Sequence, residues 1–201
     1  MAKKVMKPEL WTPRPVAETL QVYTEWADRY DVDVKDRGYV TPGRIADALL
    51  PFVEPGTTLL DYGCGTGLSG KALAEVGLGP LHGTDITAAM VDVAKTKRIY
   101  QKLWVGEPGQ APCAPADYGV IVATGVVSLG AAPPECFDLL LDSLAPGGLL
   151  AMSFNDPTLQ DGRYDAQLET RSADFITEFR AHGPHLKEAE MGADVMVLRR
   201  V

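Results

Sequence analysis

Residues 58–67, Thr-Leu-Leu-Asp-Tyr-Gly-Cys-Gly-Thr-Gly, constrain the fold more than any other stretch of this chain. A short apolar run ends in Asp61 and breaks at once into Gly63, Gly65 and Gly67. A strand that is apolar on both faces belongs in the middle of a parallel sheet. Three alternate glycines then let the backbone come close to a ligand. The helix expected from Leu68 to Val76 would turn its unsatisfied N–H groups and positive dipole end toward that loop, so an anionic or polar ligand head is expected there. A tight strand-to-helix turn without a ligand is the plainer alternative. The following strand speaks against it. Leu81-His-Gly-Thr-Asp85 ends in an acid 18 positions past Gly67, close to the spacing at which dinucleotide folds hydrogen-bond ribose hydroxyls.

The chain is long enough, at 201 residues, for one domain with a substantial core. No stretch approaches the ~20 apolar residues of a membrane span. The start, Met-Ala-Lys-Lys-Val-Met-Lys-Pro, lacks the apolar segment of a secretory signal, which predicts a cytoplasmic location. The net charge is −8, and basic residues are scattered apart from pairs such as Lys3-Lys4 and Arg199-Arg200. With no basic stripe, nucleic-acid partners are disfavoured. Cys64, Cys113 and Cys136 are odd in number and widely spaced, which suggests neither a disulfide framework nor a zinc site. Cys64 reads as a small loop residue.

Residues 1–12 lack periodicity and are expected to form a loose arm. Val16, Leu20, Tyr23 and Ala27 recur at helical spacing, predicting a helix from Pro13 to about Tyr30 with Thr12 as its cap. A second helix starts at Thr41-Pro42 and closes before Pro51. Beyond the glycine loop, the pattern predicts a helix over 68–76, a strand over 80–85, a helix over 87–97 and a strand over 99–105. Residues 106–116 form a loop. Tyr118 to Ala123 follows as a strand, then a helix from about Pro134 to Leu144 and a strand from Leu149 to Phe154. This alternation implies right-handed crossovers and a parallel sheet. From Tyr164 to His182 a long helix is expected, with Leu168, Phe175, Ile176 and Phe179 facing inward. Two strands, Leu186 to Glu190 and Val195 to Val201, close the chain. Their short link, Met191-Gly-Ala, makes them antiparallel.

The order Asp61-x-Gly63-x-Gly65-x-Gly67 places an acid inside the motif, unlike the G-x-G-x-x-G of dinucleotide-binding folds. In this form it resembles motif I of the class I S-adenosylmethionine (SAM) dependent methyltransferases. Leu144-Ala-Pro-Gly-Gly-Leu-Leu resembles the turn before their fifth strand. More narrowly, Tyr30-Asp-x-Asp-Val, Gly38-Tyr39 and Tyr100-Gln-Lys-Leu are similar to the small methyltransferases named for the Williams–Beuren region and their bacterial relatives. The resemblance implies a Rossmann-like α/β fold: a mostly parallel seven-stranded sheet, a C-terminal antiparallel hairpin, and helices on both faces. It also implies SAM as cofactor, with S-adenosylhomocysteine (SAH) as product, and a small-molecule acceptor.

On the family's pattern, Asp61 and Gly63 line the methionine end with Gly65 and Gly67 beside them. Asp85 meets the ribose, and Ile86 offers a face to adenine. Gly106 and Glu107 stand near the adenine amine, where relatives usually carry Asp. Thr124 and Gly125 face cofactor or substrate, and Tyr30 borders the methionine end. Met90 reads as core. Acceptor contacts are expected from Trp26, Tyr39, Asn155 and Asp156, with residues 1–40 acting as arm and helical lid. Asn155-Asp156 lacks the Asn-Pro-Pro-Tyr signature of amide-nitrogen and adenine methylases. His82, His182 and His185 read as loop or strand-end residues rather than as a general base. Two other classes stay open: a non-catalytic SAM- or nucleotide-binding module, and a nicotinamide oxidoreductase, which the glycine spacing disfavours.

Overall fold

The computed structural model describes residues 8–201, so the arm expected over residues 1–12 falls largely outside the described residues; Pro8–Trp11 forms a short 3-10 turn. Helix α1 spans Val16–Lys35 and follows Pro15, which has extended backbone angles. The expected start at Pro13 fails because Arg14 precedes a second proline and is pushed out of the helical region. Helix α2, Thr41–Leu49, carries the chain to β1, Leu59–Tyr62. There follow α3 (Leu68–Glu75), β2 (Leu81–Asp85), α4 (Ala88–Thr96), β3 (Lys102–Val105), β4 (Tyr118–Ala123), α5 (Cys136–Ser143) and β5 (Leu144–Asn155). The chain ends with α6 (Asp156–Asp161), α7 (Arg163–Thr170), β6 (Phe175–Leu186) and β7 (Met191–Arg200).

The seven strands form one sheet in the order β3-β2-β1-β4-β5-β7-β6. The first five are parallel, and β7 runs antiparallel to both β5 and β6. Neighbouring residues in the central strands serve opposite faces, as the two-residue period of a strand requires. Leu60, Ile121, Leu150 and Met196 pack with Phe137 and Leu140 of α5 and Leu168 of α7. Leu59, Val120, Leu149 and Val195 pack with Ile45 and Leu49 of α2 and Leu73 of α3. Helices therefore cover both faces, and the continuous apolar runs of these strands are explained.

The C-terminal part departs from expectation. The long helix over 164–182 stops at Thr170, and Phe175–Leu186 is an edge strand. Of the residues expected to face inward, Leu168 is buried and Phe175 packs on Phe137, their rings 5.8 Å apart. Ile176 is 56% exposed and Phe179 37% exposed. A register shift between Thr177 and Phe179 explains the misreading. A bulge breaks the two-residue alternation, leaving apolar residues at a spacing that mimics a helical face. A C-terminal antiparallel pair is present, but the strand expected over Leu186 to Glu190 is not part of it: Lys187–Ala189 is a 3-10 turn that joins β6 to β7, and Met191-Gly-Ala opens β7 instead of linking the pair.

Candidate functional site

The glycine loop leaves β1 at the carboxyl edge of the sheet, where open α/β folds bind ligands. A cavity of about 980 Å³ lies against it. Of the residues singled out in the sequence, Tyr30, Gly63, Gly65, Asp85, Ile86, Gly106, Glu107, Thr124 and Gly125 line this cavity. Met90 lines it as well, though only 2% exposed, so it serves the core and the wall together. The charged side chains on the wall are Asp85, Glu107, Glu135 and Asp138. Among the described residues all are acidic, which suits a cationic ligand.

The loop's backbone explains its composition. Gly63 and Gly65 have φ of +65° and +52°, the left-handed region. A Cβ on Gly63 would overlap the side chain of Val126, whereas one on Gly65 would meet nothing within 4 Å and would project into open space. Gly67 begins α3, and its neighbour is the Tyr100 ring rather than the cavity. The Gly65 N–H donates to Asp85 Oδ2 (2.9 Å), and the Thr87 N–H donates to Asp85 Oδ1 (2.8 Å). Asp85 thus ties the ends of β1 and β2 together and keeps lone pairs for a ligand. Burial raises its carboxyl above the ordinary range, against the pull of those two backbone bonds.

Asp61 is fully buried behind the loop. Its Oδ2 accepts from Ser69 Oγ and from the Tyr100 hydroxyl, each at 2.6 Å, while Oδ1 has no partner. Burial, with the Asp85 charge nearby, pushes the carboxyl up to about 6 against the pull of Ser69, Tyr100 and the Gly70 backbone. An orphaned carboxylate oxygen is costly in a dry interior; Asp61 stands behind the loop and is not itself on the cavity wall, so a ligand ammonium would satisfy it only by reaching past Gly63 and Gly65. Three hydroxyls repeat the pattern. Thr19, Thr84 and Thr124 line the cavity with buried Oγ1 atoms that lack partners. Thr124 was anticipated from its place after β4. Thr19 and Thr84 were not, because a threonine inside a helix or strand pattern reads as packing, and so does Tyr23, which also lines the cavity.

Helix α1 roofs this space with Val16, Thr19, Tyr23 and Tyr30. Trp26 is not on the wall. Its ring meets Tyr30 edge-on at 4.7 Å, and its N–H donates to Asp33. Tyr39 is also off the wall, packed edge-on against His185, although its hydroxyl would lie 3.6 Å from a Cβ on Gly125. Asn155 caps α6, accepting from the Thr158 N–H and hydroxyl. Asp156 accepts from the Gly192 N–H at 2.6 Å. The structure therefore engages Asn155 and Asp156 in the fold and does not bring them to the cavity.

The histidines lie elsewhere too. His82 meets the Tyr118 hydroxyl, His182 meets Asp194, and His185, held down to about 4 by burial, meets Thr41. Burial raises the Cys64 thiol, as befits a small packing residue rather than a thiolate.

The geometry agrees with comparisons to known proteins. Residues 53–184 match the family described as methyltransferase domain. Human methyltransferase-like protein 27 is 32% identical over 143 residues, covering 69% of this chain and 58% of that protein. The ribosomal protein L11 methyltransferase of Burkholderia ambifaria is 28% identical over 155 residues, 70% of this chain and 50% of the relative. The chain thus spans little more than half the length of these curated relatives. Among solved structures, the SAM-bound magnesium protoporphyrin IX methyltransferase of Synechocystis PCC 6803 superposes with a TM-score of 0.62 at 16% identity, covering 96% of this chain and 88% of that one. That likeness speaks for the fold. With a family match over most of its length and the acid-bearing glycine loop at the edge of the expected sheet, this chain belongs to the class I SAM-dependent methyltransferases, with methyltransferase-like protein 27 of the Williams–Beuren group among its relatives.

Proposed function

We propose that this protein binds SAM in the 980 Å³ cavity and transfers its methyl group to a small-molecule acceptor. The observation that carries the reading is the orphaned Oδ1 of buried Asp61 behind an open glycine loop. SAM supplies, when bound, a methyl group already activated on a sulfonium. The chain's own residues then bind and orient the cofactor. Asp61 meets the ammonium, Gly63 and Gly65 keep the loop low enough for the ligand to lie on it, and Gly67 turns the chain into α3 behind them. Asp85 accepts from the ribose hydroxyls with the oxygens that Gly65 and Thr87 hold in place, and Ile86 gives adenine an apolar face. Gly106 and Glu107 stand at the far end. Thr124 offers its unpartnered hydroxyl, and Tyr30 closes the roof.

Holding an acceptor in line and excluding water can be worth ~7–11 kcal/mol of the barrier, so a general base is optional. A cavity roofed by one helix favours a small acceptor, and the absence of a basic stripe disfavours nucleic acid. The L11 methyltransferase relative is named for a protein acceptor and marks the second reading. Within the described residues no helix is long and apolar enough to cross a membrane. We place the enzyme in the cytoplasm as part of this proposal, acting as a single domain with residues 1–40 as arm and lid. Calorimetric titration with SAM, SAH and NAD tests the cofactor: micromolar binding of NAD and none of SAM would overturn it. A methyl-transfer screen of metabolite pools and of ribosomal protein, read by mass spectrometry, separates the two acceptor classes.

A further inference from the structure

Beside the cavity, but not on its wall, three elements meet in a closed triangle of polar contacts. Asp31 comes from α1, the roof. Thr66 lies between Gly65 and Gly67 in the loop that forms the floor, and Lys97 caps the end of α4. The Thr66 hydroxyl, 1% exposed as a residue, donates to Asp31 Oδ1 at 2.5 Å. Lys97 Nζ sits 2.7 Å from Asp31 Oδ2 and donates to the Thr66 carbonyl at 2.5 Å. Each corner therefore makes two of the three links. The Lys97 and Asp31 side chains are 18% and 36% exposed, so this pair, though not buried, is drier than surface pairs of the same protein such as Lys95–Asp92 at 57% and 70%. Ion pairs of the latter kind contribute little; one that is partly shielded and shares a hydrogen-bonded corner with a buried threonine can hold two elements in register.

The triangle sits between functional groups on both sides. Tyr30, the residue before Asp31, lines the cavity. Gly65, the residue before Thr66, donates its N–H to Asp85. Any movement of α1 away from the sheet must break the Asp31 contacts, and those contacts hold the residue that separates the two upper glycines of the loop. We propose that Asp31, Thr66 and Lys97 form a catch that makes closure of α1 over the cavity and setting of the glycine loop a single event. Asp31 and Lys97 are then positioning residues for the cofactor, acting without touching it. The assignment rests on SAM as the ligand, but the mechanical coupling does not.

Hydrogen exchange on the cofactor-free protein tests the coupling by itself. In Lys97→Met, residues 16–35 and residues 63–71 lose protection together. If α1 loosens while the loop keeps its protection, the two are separate and the catch is overturned. Calorimetry then tests the role. Asp31→Asn and Lys97→Met each weaken SAM binding about tenfold, and the double variant is no weaker than the poorer single one, because either change opens the same triangle. Thr66→Val shares the loss and Thr66→Ser restores it, with thermal midpoints unchanged. Affinities within twofold of wild type, or losses that add and follow falling midpoints, refute a positioning role. If the wild-type protein binds no SAM, it is the cofactor reading that fails, and the exchange result still decides the catch.

Discussion

The most informative perturbation of the site is Asp61→Asn, because it should separate binding from stability. Burial raises the Asp61 carboxyl from its ordinary 3.8 to about 6. A rise of about two units corresponds to roughly 3 kcal/mol of preference for the neutral form. The sign follows from proton linkage. The folded state holds this proton more tightly than the unfolded chain, so the contribution is present below about pH 4 and is lost as pH rises through about 6. At pH 8 the cofactor-free protein carries a buried charge with one unsatisfied oxygen. Asparagine keeps an oxygen to accept from Ser69 and Tyr100 and removes that charge. Urea denaturation at pH 8 should show the variant about as stable as wild type or somewhat more so, since relief of up to about 3 kcal/mol from the charge offsets a cost of about 1–3 kcal/mol for a buried amide NH2 in the place of Oδ1. SAM binding should weaken by about 1.5–3 kcal/mol, the worth of a hydrogen bond to a charged group. The gap narrows toward pH 5, where wild type protonates and its own affinity falls. A variant that is destabilised at pH 8 yet binds SAM normally would refute the argument, and Asp61 would be a structural acceptor only.

Gly65→Val should abolish SAM binding, since the side chain would project into the open space above the loop from a backbone at φ +52°; normal affinity by calorimetry would make the loop a mere turn. Asp85→Ala should cost ~2–3 kcal/mol of SAM affinity, and because Gly65 and Thr87 lose their acceptor, a smaller drop in thermal stability is expected alongside, both readable on one sample. Ile176→Ala, at a site 56% exposed, should change stability by less than ~0.5 kcal/mol, whereas Leu150→Ala at a fully buried position should cost ~2–5 kcal/mol; equal costs in chemical denaturation would contradict the strand assignment of β6.

Two kinds of signal made the fold legible. Apolar runs bounded by Gly and Pro marked β1, β4 and β5, because strands buried on both faces need no polar alternation, whereas β2, Leu81–Asp85, was marked by its terminal acid. Backbone demands marked the loop, since positions like Gly63 and Gly65 accept little else. β6 was lost because it has the opposite character: exposed along most of its length and bulged near Phe179, it carries no clean period. Within the site, the acids were visible because a carboxylate at a strand end is unusual in either packing or solvent terms. Thr19, Thr84 and Tyr23 were invisible, as their role depends on which way α1 and β2 turn them. Asn155 and Asp156 looked available in the sequence, and only tertiary contacts with Thr158 and Gly192 reveal that they are occupied.

The outer strand β6 also bears on how the protein behaves at high concentration. An open strand edge invites a neighbouring chain to continue the sheet. Here Tyr39 bridges Leu186, and the Val40 N–H donates to the His185 carbonyl at 3.0 Å. The Arg44 guanidinium, reaching across from α2, donates to the carbonyls of Ala181 and Pro184 of β6 and of Ala193 of β7 at 2.9–3.0 Å, and Pro184 has no N–H to offer. The distal half of the edge is thereby closed to strand addition, leaving the stretch around Ile176 and Phe179 as the place where intermolecular sheet growth would have to begin.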